Sequence, residues 1–364
     1  MKLIIAGGGT GGHLFPGIAV AEEFLARNQA NEVLFVGTER GIEARAVPAA
    51  GYRLEMISAA GIRGKGTFSQ LKGAAMMIYG YAQSRKILKE FRPDMVLGVG
   101  GYASLPMVLA ARGMQIPRFI HEQNAIPGQT NRLLARFASK VFITLEESAR
   151  YFPAGTLLTG NPLRRQILDL VEKVSTSSAK DDVRGADTFR LFVFGGSQGA
   201  HAINSAMVEA LPLLKKGGVS VAITHQTGEK EHADVAAAYR AAGIEATVTP
   251  FIGDMAAEYA RADLIVCRAG ATTIAEVTAC GKACLFIPFP HAVDDHQRRN
   301  AEALLKKDAC FMMLEQELSG GALARHILTL AEDPNLVRRT GELAFSLARL
   351  DAAEIIIDEM MNTH

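Results

Sequence analysis

The chain is poor in several features that would narrow its chemistry at once. Only four of its 364 residues are cysteine, at Cys267, Cys280, Cys284 and Cys310. None forms a Cys-x-x-Cys pair and no histidine stands near them at zinc-finger spacing, so zinc-ribbon and dithiol-redox patterns are excluded. Three lie in apolar runs, where cysteine behaves as a small hydrophobe, and the set fits a reducing compartment. No run of 18 or more apolar residues occurs, so no transmembrane helix is expected. Met1 leads straight into a strand-like segment rather than a secretory leader, and a cytoplasmic protein is the expectation. The formal net charge is only +1, so the global field selects no partner. The chain has no Asp-x-Asp triad to hold a metal-bound diphosphate, and no P-loop Lys-Ser/Thr. No metal site and no cofactor are expected.

Hydrophobic residues make up 49% and charged residues 21%, a globular balance, and the length favours two domains. Short apolar runs alternate with helical patterns. In the first half they are Lys2–Ala6, Glu32–Val36, Met95–Val99, Arg118–His121 and Lys140–Thr144. In the second they are Phe189–Phe194, Ser220–His225, Ala246–Thr249, Leu264–Cys267 and Ala283–Ile287. Uninterrupted apolar strands between helices indicate parallel sheets covered on both faces. The fold class is therefore α/β, with two doubly wound Rossmann-like domains. A break is expected near Thr159-Gly160-Asn161-Pro162, followed by a polar surface segment from Glu172 to Thr188. This gives domains over 1–160 and 161–344, with a helical pattern from Leu343 to Met361.

The two halves share a local pattern. Leu3-Ile4-Ile5-Ala6 leads into Gly7-Gly8-Gly9-Thr10-Gly11-Gly12-His13, and Leu191-Phe192-Val193-Phe194 leads into Gly195-Gly196-Ser197-Gln198-Gly199-Ala200-His201. A glycine turn that opens a helix lets the backbone approach a ligand and aims N–H groups at an anion. A tight βα turn is the plainer reading of either loop. The dinucleotide pattern is loose, and Glu39 is an imperfect ribose carboxylate. In Cys267-Arg268-Ala269-Gly270-Ala271-Thr272-Thr273-Ile274-Ala275-Glu276 a helix N-terminus again follows a strand, and Glu276 could accept both ribose hydroxyls or simply be a solvated helix residue. Asp295 and Gln297, in the loop from Pro288, could read sugar hydroxyls. His121-Glu122-Gln123-Asn124 and Gly100-Gly101-Tyr102 follow strands of the first half and would serve a second substrate. Between Gly61 and Arg92 lie Arg63, Lys65, Lys72, Arg85, Lys86, Lys89 and Arg92, interleaved with Phe68, Leu71, Met76, Met77, Ile78, Tyr79 and Tyr81. An anionic membrane surface, a nucleic acid or a core helix with a basic rim would each produce that pattern.

Taken in order, Gly8 to His13 with Pro16, Gly100-Gly101-Tyr102, His121 to Asn124, Thr159 to Pro162, Gly195 to Ala200 and Asp295-His296-Gln297 resemble the MurG family of bacterial peptidoglycan glycosyltransferases over nearly the whole chain. The resemblance implies the GT-B architecture, two Rossmann-like domains facing a central cleft, with a C-terminal helix (about 345–364) returning to the first domain. It implies transfer of N-acetylglucosamine from UDP-GlcNAc to undecaprenyl-pyrophosphoryl-MurNAc-pentapeptide, at the cytoplasmic face of the inner membrane, with no nucleic acid involved. The second domain would hold the donor through Arg164, Ser197, Ile252, Ala271 to Glu276 and Gln297. Thr10, Gly11, Gly12 and Asn124 match binding positions of the first domain. Ala269 stands where the family usually has serine, and Leu105 where glycine often precedes Pro106. An inverting displacement needs one side chain to take the proton of the attacking hydroxyl. His13 is the first candidate and Glu122 the second, since imidazole has the better-matched unperturbed pKa. A UDP-GlcNAc 2-epimerase and a non-catalytic nucleotide-sugar-binding scaffold are the competing readings.

Overall fold

The computed structural model describes residues 1–39, 41–59, 67–153, 155–176 and 188–363. Its sheets form because the strands carry apolar side chains at both parities. In β1 (Lys2–Gly7), Leu3 and Ile5 pack on one face while Ile4 and Ala6 pack on the other. Such a strand is stable only between two helical layers. The first sheet contains β1, β2 (Glu32–Gly37), β3 (Arg53–Met56), β4 (Met95–Gly100), β5 (Arg118–Glu122), β6 (Lys140–Ile143) and β7 (Thr156–Leu158). Its order is β3-β2-β1-β4-β5-β6-β7, and every pairing is parallel. One face is covered by α1 (Gly11–Arg27), which buries Leu14, Ile18, Ala21 and Phe24 at helical spacing, and by α2 (Glu43–Ala49) through Val47. The other is covered by α3 (Thr67–Phe91), α4 (Ser104–Gly113) and α5 (Gln129–Leu134).

After α6 (Arg165–Thr176), the second sheet comprises β8 (Thr188–Phe194), β9 (Ser220–Gln226), β10 (Ala246–Thr249), β11 (Leu264–Cys267), β12 (Ala283–Phe286) and β13 (Phe311–Met312). Its order is β10-β9-β8-β11-β12-β13, again parallel. The intervening helices are α7 (His201–Lys216), α8 (His232–Ala242), α9 (Met255–Arg261), α10 (Ala271–Ala279), α11 (His296–Leu305), α12 (Gly320–Glu332) and α13 (Pro334–Ser346). Leu191 and Val193 face Ile203, Met207 and Leu323 on one side of the sheet. On the other side the Phe192 and Phe194 rings lie 4.7 Å apart and both meet Tyr259 edge-on. Each sheet reverses its strand order beside its first strand, which puts the first glycine loop of each unit at the crevice where open α/β sheets bind ligands.

The chain divides into one unit of Met1–Arg165 with Arg349–His364 and another of Gln166–Ala348. The helical pattern read from Leu343 to Met361 is two helices: α13 ends at Ser346 and α14 (Ala352–Asn362) follows a short break. α14 packs in the first unit, with Ile356, Ile357 and Met360 fully buried beside Phe24, Phe119 and Phe142. Each such side chain contributes about 1.5–3 kcal/mol. Asp358 pairs with Arg27 at 3.2 Å and Glu359 with Lys140. The polar segment expected from Glu172 to Thr188 lies largely outside the described residues.

Candidate functional site

In the first unit the chain leaves β1 through Gly7, Gly8 and Gly9, at φ +150°, +137° and +90°. The glycines are needed because two loops meet there backbone to backbone. A Cβ on Gly101, itself at φ +79°, would stand 2.4 Å from the Gly8 carbonyl oxygen. The buried Glu43 carboxylate clamps this loop to the end of β2. Its Oε2 accepts from the Gly9 N–H at 2.7 Å, and its Oε1 accepts from the N–H and hydroxyl of Thr38 at 2.9 and 3.1 Å. The sequence offers Glu39 as a ribose carboxylate and does not single out Glu43. Nothing local marks it, because its partners are main-chain groups 5 and 34 residues away.

Thr10 opens α1 without a side-chain cap, and Gly11, Gly12 and His13 form its first turn. His13 Nδ1 lies 2.9 Å from Gln123 Oε1. The Gln123 amide, 1% exposed, donates to the Val99 carbonyl at 3.0 Å and to His121 Nδ1 at 3.1 Å. His121 Nε2 donates to the Gly160 carbonyl at 3.1 Å. Burial pulls the His121 pKa down to about 4, so its ring is neutral. Arg164 holds its guanidinium 5.2 Å from the centre of the Phe15 ring, on the turn after His13.

Glu122 is enclosed by its own loop. It is 1% exposed, and both carboxylate oxygens are taken. Oε1 accepts from the Asn124 N–H and side-chain amide at 2.9 and 3.2 Å. Oε2 accepts from the Gly128 N–H at 3.1 Å and the Asn131 amide at 2.9 Å. A carboxylate with four donors is held in place. Its work is to fold the loop that presents Asn124. Thr10, Gly11, Gly12, His13, Asn124 and Arg164 thus gather at the carboxyl end of the first sheet.

The second unit repeats the scheme with other side chains. Gly199 is at φ +74°, and a Cβ there would stand 1.8 Å from the Thr227 carbonyl oxygen. The buried Gln226 amide donates to the Gly196 carbonyl at 3.0 Å. Ser197 is exposed at the tip of this loop, and Ile252 is half-buried beyond β10. α10 begins after Gly270 with no side-chain cap. In it Thr272, Thr273 and Ala275 are half-buried, while Ala271 and Ile274 turn into the core. Glu276 is 3% exposed, not a solvated helix residue, and its Oε2 accepts from the Tyr259 hydroxyl at 3.0 Å. Gln297 accepts from the Phe289 N–H at 3.0 Å, fastening the loop after β12. Asp294 and Asp295 enter α11 at φ +52° and +56°, a left-handed pair that side chains other than glycine seldom adopt. Arg268 is a further fastening that the sequence did not announce. It donates to the carbonyls of Ile287 and Pro288 at 3.1 and 3.2 Å and pairs with Glu315 at 2.5 Å.

Cys267 and Cys284 are buried core residues with sulfurs 3.5 Å apart, and burial pushes the Cys284 thiol well up. Among the described residues no cluster of three or more histidine, cysteine or carboxylate side chains could hold a metal. No described helix is long and apolar enough to cross a membrane. On α3, Ile78 is 73% and Tyr79 60% exposed, beside exposed Arg85, Lys86 and Lys89, while Ile87, Leu88 and Phe91 pack inward. Arg63 and Lys65, part of the same basic stretch, lie outside the described residues, as do the side chains of Phe68, Leu71 and Lys72.

Residues 3–143 match the Glycosyltransferase family 28 N-terminal domain, and residues 190–354 match the Glycosyltransferase family 28 C-terminal domain. The UDP-N-acetylglucosamine–N-acetylmuramyl-(pentapeptide) pyrophosphoryl-undecaprenol N-acetylglucosamine transferase of Pelobacter propionicus is 71% identical over 375 residues, spanning 99% of each chain. The crystal structure of Acinetobacter baumannii MurG superimposes with a TM-score of 0.80 at 32% identity, covering 99% of each chain. A UDP-GlcNAc 2-epimerase from Neisseria meningitidis, bound to UDP-GlcNAc, aligns over both full lengths with a TM-score of 0.67 but only 13% identity, and so shares the fold alone. The two parallel-sheet units are those of a GT-B glycosyltransferase, and the chain belongs to the MurG family within glycosyltransferase family 28.

Proposed function

We propose that this enzyme transfers N-acetylglucosamine from UDP-GlcNAc to the 4-hydroxyl of MurNAc in undecaprenyl-pyrophosphoryl-MurNAc-pentapeptide, converting lipid I to lipid II in peptidoglycan synthesis. The observation that carries the reading is the full-length 71% identity to an enzyme of that name. The arrangement of the site supports the chemistry. The acceptor oxygen attacks C1 of the sugar as the bond from C1 to the diphosphate breaks, inverting the anomeric centre. The hydroxyl proton passes to His13, whose Nδ1 is engaged by Gln123 so that Nε2 is the nitrogen left to receive it. Glu122, with its four donors, is set aside as the base.

In this reading residues 161–344 hold the donor. The diphosphate lies against the Gly195–Gly199 loop with Ser197 and the uncapped start of α10, and Arg164 supplies positive charge to the leaving UDP. Glu276 takes the ribose hydroxyls, a partner suited to a buried carboxylate, and Ile252 and Gln297 complete the donor contacts. Residues 1–160 hold the acceptor, through Thr10, Gly11, Gly12 and Asn124. The exposed Ile78 and Tyr79, with the basic residues of α3, seat the enzyme on the anionic inner face of the membrane, where its lipid-linked acceptor lies. No nucleic acid takes part.

The test is a transfer assay with labelled UDP-GlcNAc and a short-chain lipid I analogue. Disaccharide formation with UDP release that depends on the acceptor is expected. Acceptor-independent conversion of UDP-GlcNAc to its 2-epimer, with no disaccharide, would overturn the assignment.

A further inference from the structure

We infer that Gln123 is a positioning residue that fixes which nitrogen of His13 is free, with His121 as the buried end of the same chain. The inference rests on the reading of His13 as the proton acceptor and adds to it the device that makes it one.

The proton arrangement follows from two main-chain carbonyls, because a carbonyl oxygen only accepts. The Val99 carbonyl, 3.0 Å from Gln123 Nε2, forces the NH2 end of that amide toward β4. The amide oxygen is thereby turned to His13 Nδ1, 2.9 Å away. An amide oxygen has no proton to give, so His13 Nδ1 must carry the hydrogen. In the neutral ring Nε2 then holds the lone pair.

The other end gives the same answer independently. The Gly160 carbonyl, 3.1 Å from His121 Nε2, requires a hydrogen on that nitrogen. His121 Nδ1 is then an acceptor, as the second Gln123 N–H, 3.1 Å away, requires. The scheme needs a neutral His121, and its complete burial supplies one. Gln123 and His121 are 1% and 0% exposed. Such an enclosed network, with the Thr144 hydroxyl 3.3 Å from His121 Nε2 as a second acceptor there, has one consistent set of donors and acceptors, and His13 stands partly open at its other end. When His13 takes a proton on Nε2, no other hydrogen in the chain has to move. The packing agrees: a Cβ on Gly100 would lie 2.8 Å from His13 Nδ1, so glycine there lets the ring lie flat against the β4 turn.

Long-range proton–nitrogen NMR of imidazole-labelled protein at alkaline pH reads the His13 tautomer directly. We expect the Nδ1–H form in the unaltered enzyme, and growth of the Nε2–H form in Gln123→Met, which keeps the length of the side chain and removes both of its hydrogen-bonding ends. The same variant should lose roughly 10- to 100-fold in kcat, the usual range for outer positioning partners, with the KM for UDP-GlcNAc unchanged. A predominant Nε2–H tautomer in the unaltered enzyme would overturn the inference even if the variant failed to fold. So would a Gln123→Met enzyme with unaltered tautomer and turnover while His13→Ala is inactive. Near-normal turnover in His13→Ala would instead remove the reading beneath it.

Discussion

His13 and His201 occupy equivalent places, each the seventh residue of a segment that begins with the first glycine after a unit's opening strand. Their surroundings differ. His13 is half-buried and tied through an uncharged amide to a buried ring. His201 is 81% exposed in its side chain and faces the Glu231 carboxylate at 2.7 Å. The second unit has its own buried imidazole chain, from the Tyr239 hydroxyl through His225 to Asn204, with both links at 3.1 Å. That chain runs on through the Asn204 amide, which donates to the Thr227 carbonyl and to Glu231, and Glu231 carries it out to His201. One fold thus carries two polar networks behind two glycine loops. Both come out at the equivalent histidine, the first through an uncharged amide and the second through a carboxylate. What differs between the two loops is the group that meets the histidine, an amide oxygen in one and a carboxylate in the other.

The sharpest way to break the comparison is to remove each histidine. His13→Ala should lose about 10²–10⁴ in kcat, the usual share of a general base, while His201→Ala should stay within about twofold, because an exposed side-chain pair contributes little. Equal losses in a steady-state transfer assay would erase the distinction. Next in size is the backbone effect. Gly199→Ala drives a Cβ to 1.8 Å from the Thr227 carbonyl, while Gly9→Ala, also at positive φ, meets nothing within 4 Å. The first should destabilise by several kcal/mol and the second by only about 1 kcal/mol, the cost of a left-handed non-glycine residue, as urea denaturation would report. The smallest contrast is in pH. His121 and His225 are both pulled to about 4 by burial, from an ordinary value of 6.5. Between those values the unfolded chain binds the proton and the folded chain does not, so each unit loses stability as the pH falls from 6.5 toward 4. The loss is on the order of 3 kcal/mol per histidine. Denaturation midpoints that stay flat from pH 7 to 5 would contradict it.

The central strands were legible because they are buried on both faces and read as unbroken apolar runs. β3, β7 and β13 were not. β3 and β13 lie at sheet edges and β7 ends the first sheet, so each has a single neighbour. Arg53-Leu54-Glu55-Met56 alternates exposed and half-buried, and β13 is two residues long. The site was legible as a set of loops, since glycine runs and polar clusters after strands have few other uses. Roles within it were less so. Glu122 and Glu43 are both buried carboxylates that fasten loops, yet one drew notice because it stood in a polar motif and the other did not. Most of their donors are main-chain N–H groups, which every sequence contains and none displays. Gln123 was in view beside His121, but its tie to His13 crosses 110 residues.

The return of α14 to the first unit has a consequence for biosynthesis. Unit two is an insertion between Arg165 and Arg349 of unit one. On the ribosome the inserted body can therefore close while its host still lacks Ile356, Ile357 and Met360 from one face of its sheet. The usual vectorial sequence, in which the amino-terminal domain is finished first, is inverted. The half of the molecule made first waits for its last helix, and until that helix emerges Phe24, Phe119 and Phe142 present an open apolar surface to the cell's folding machinery.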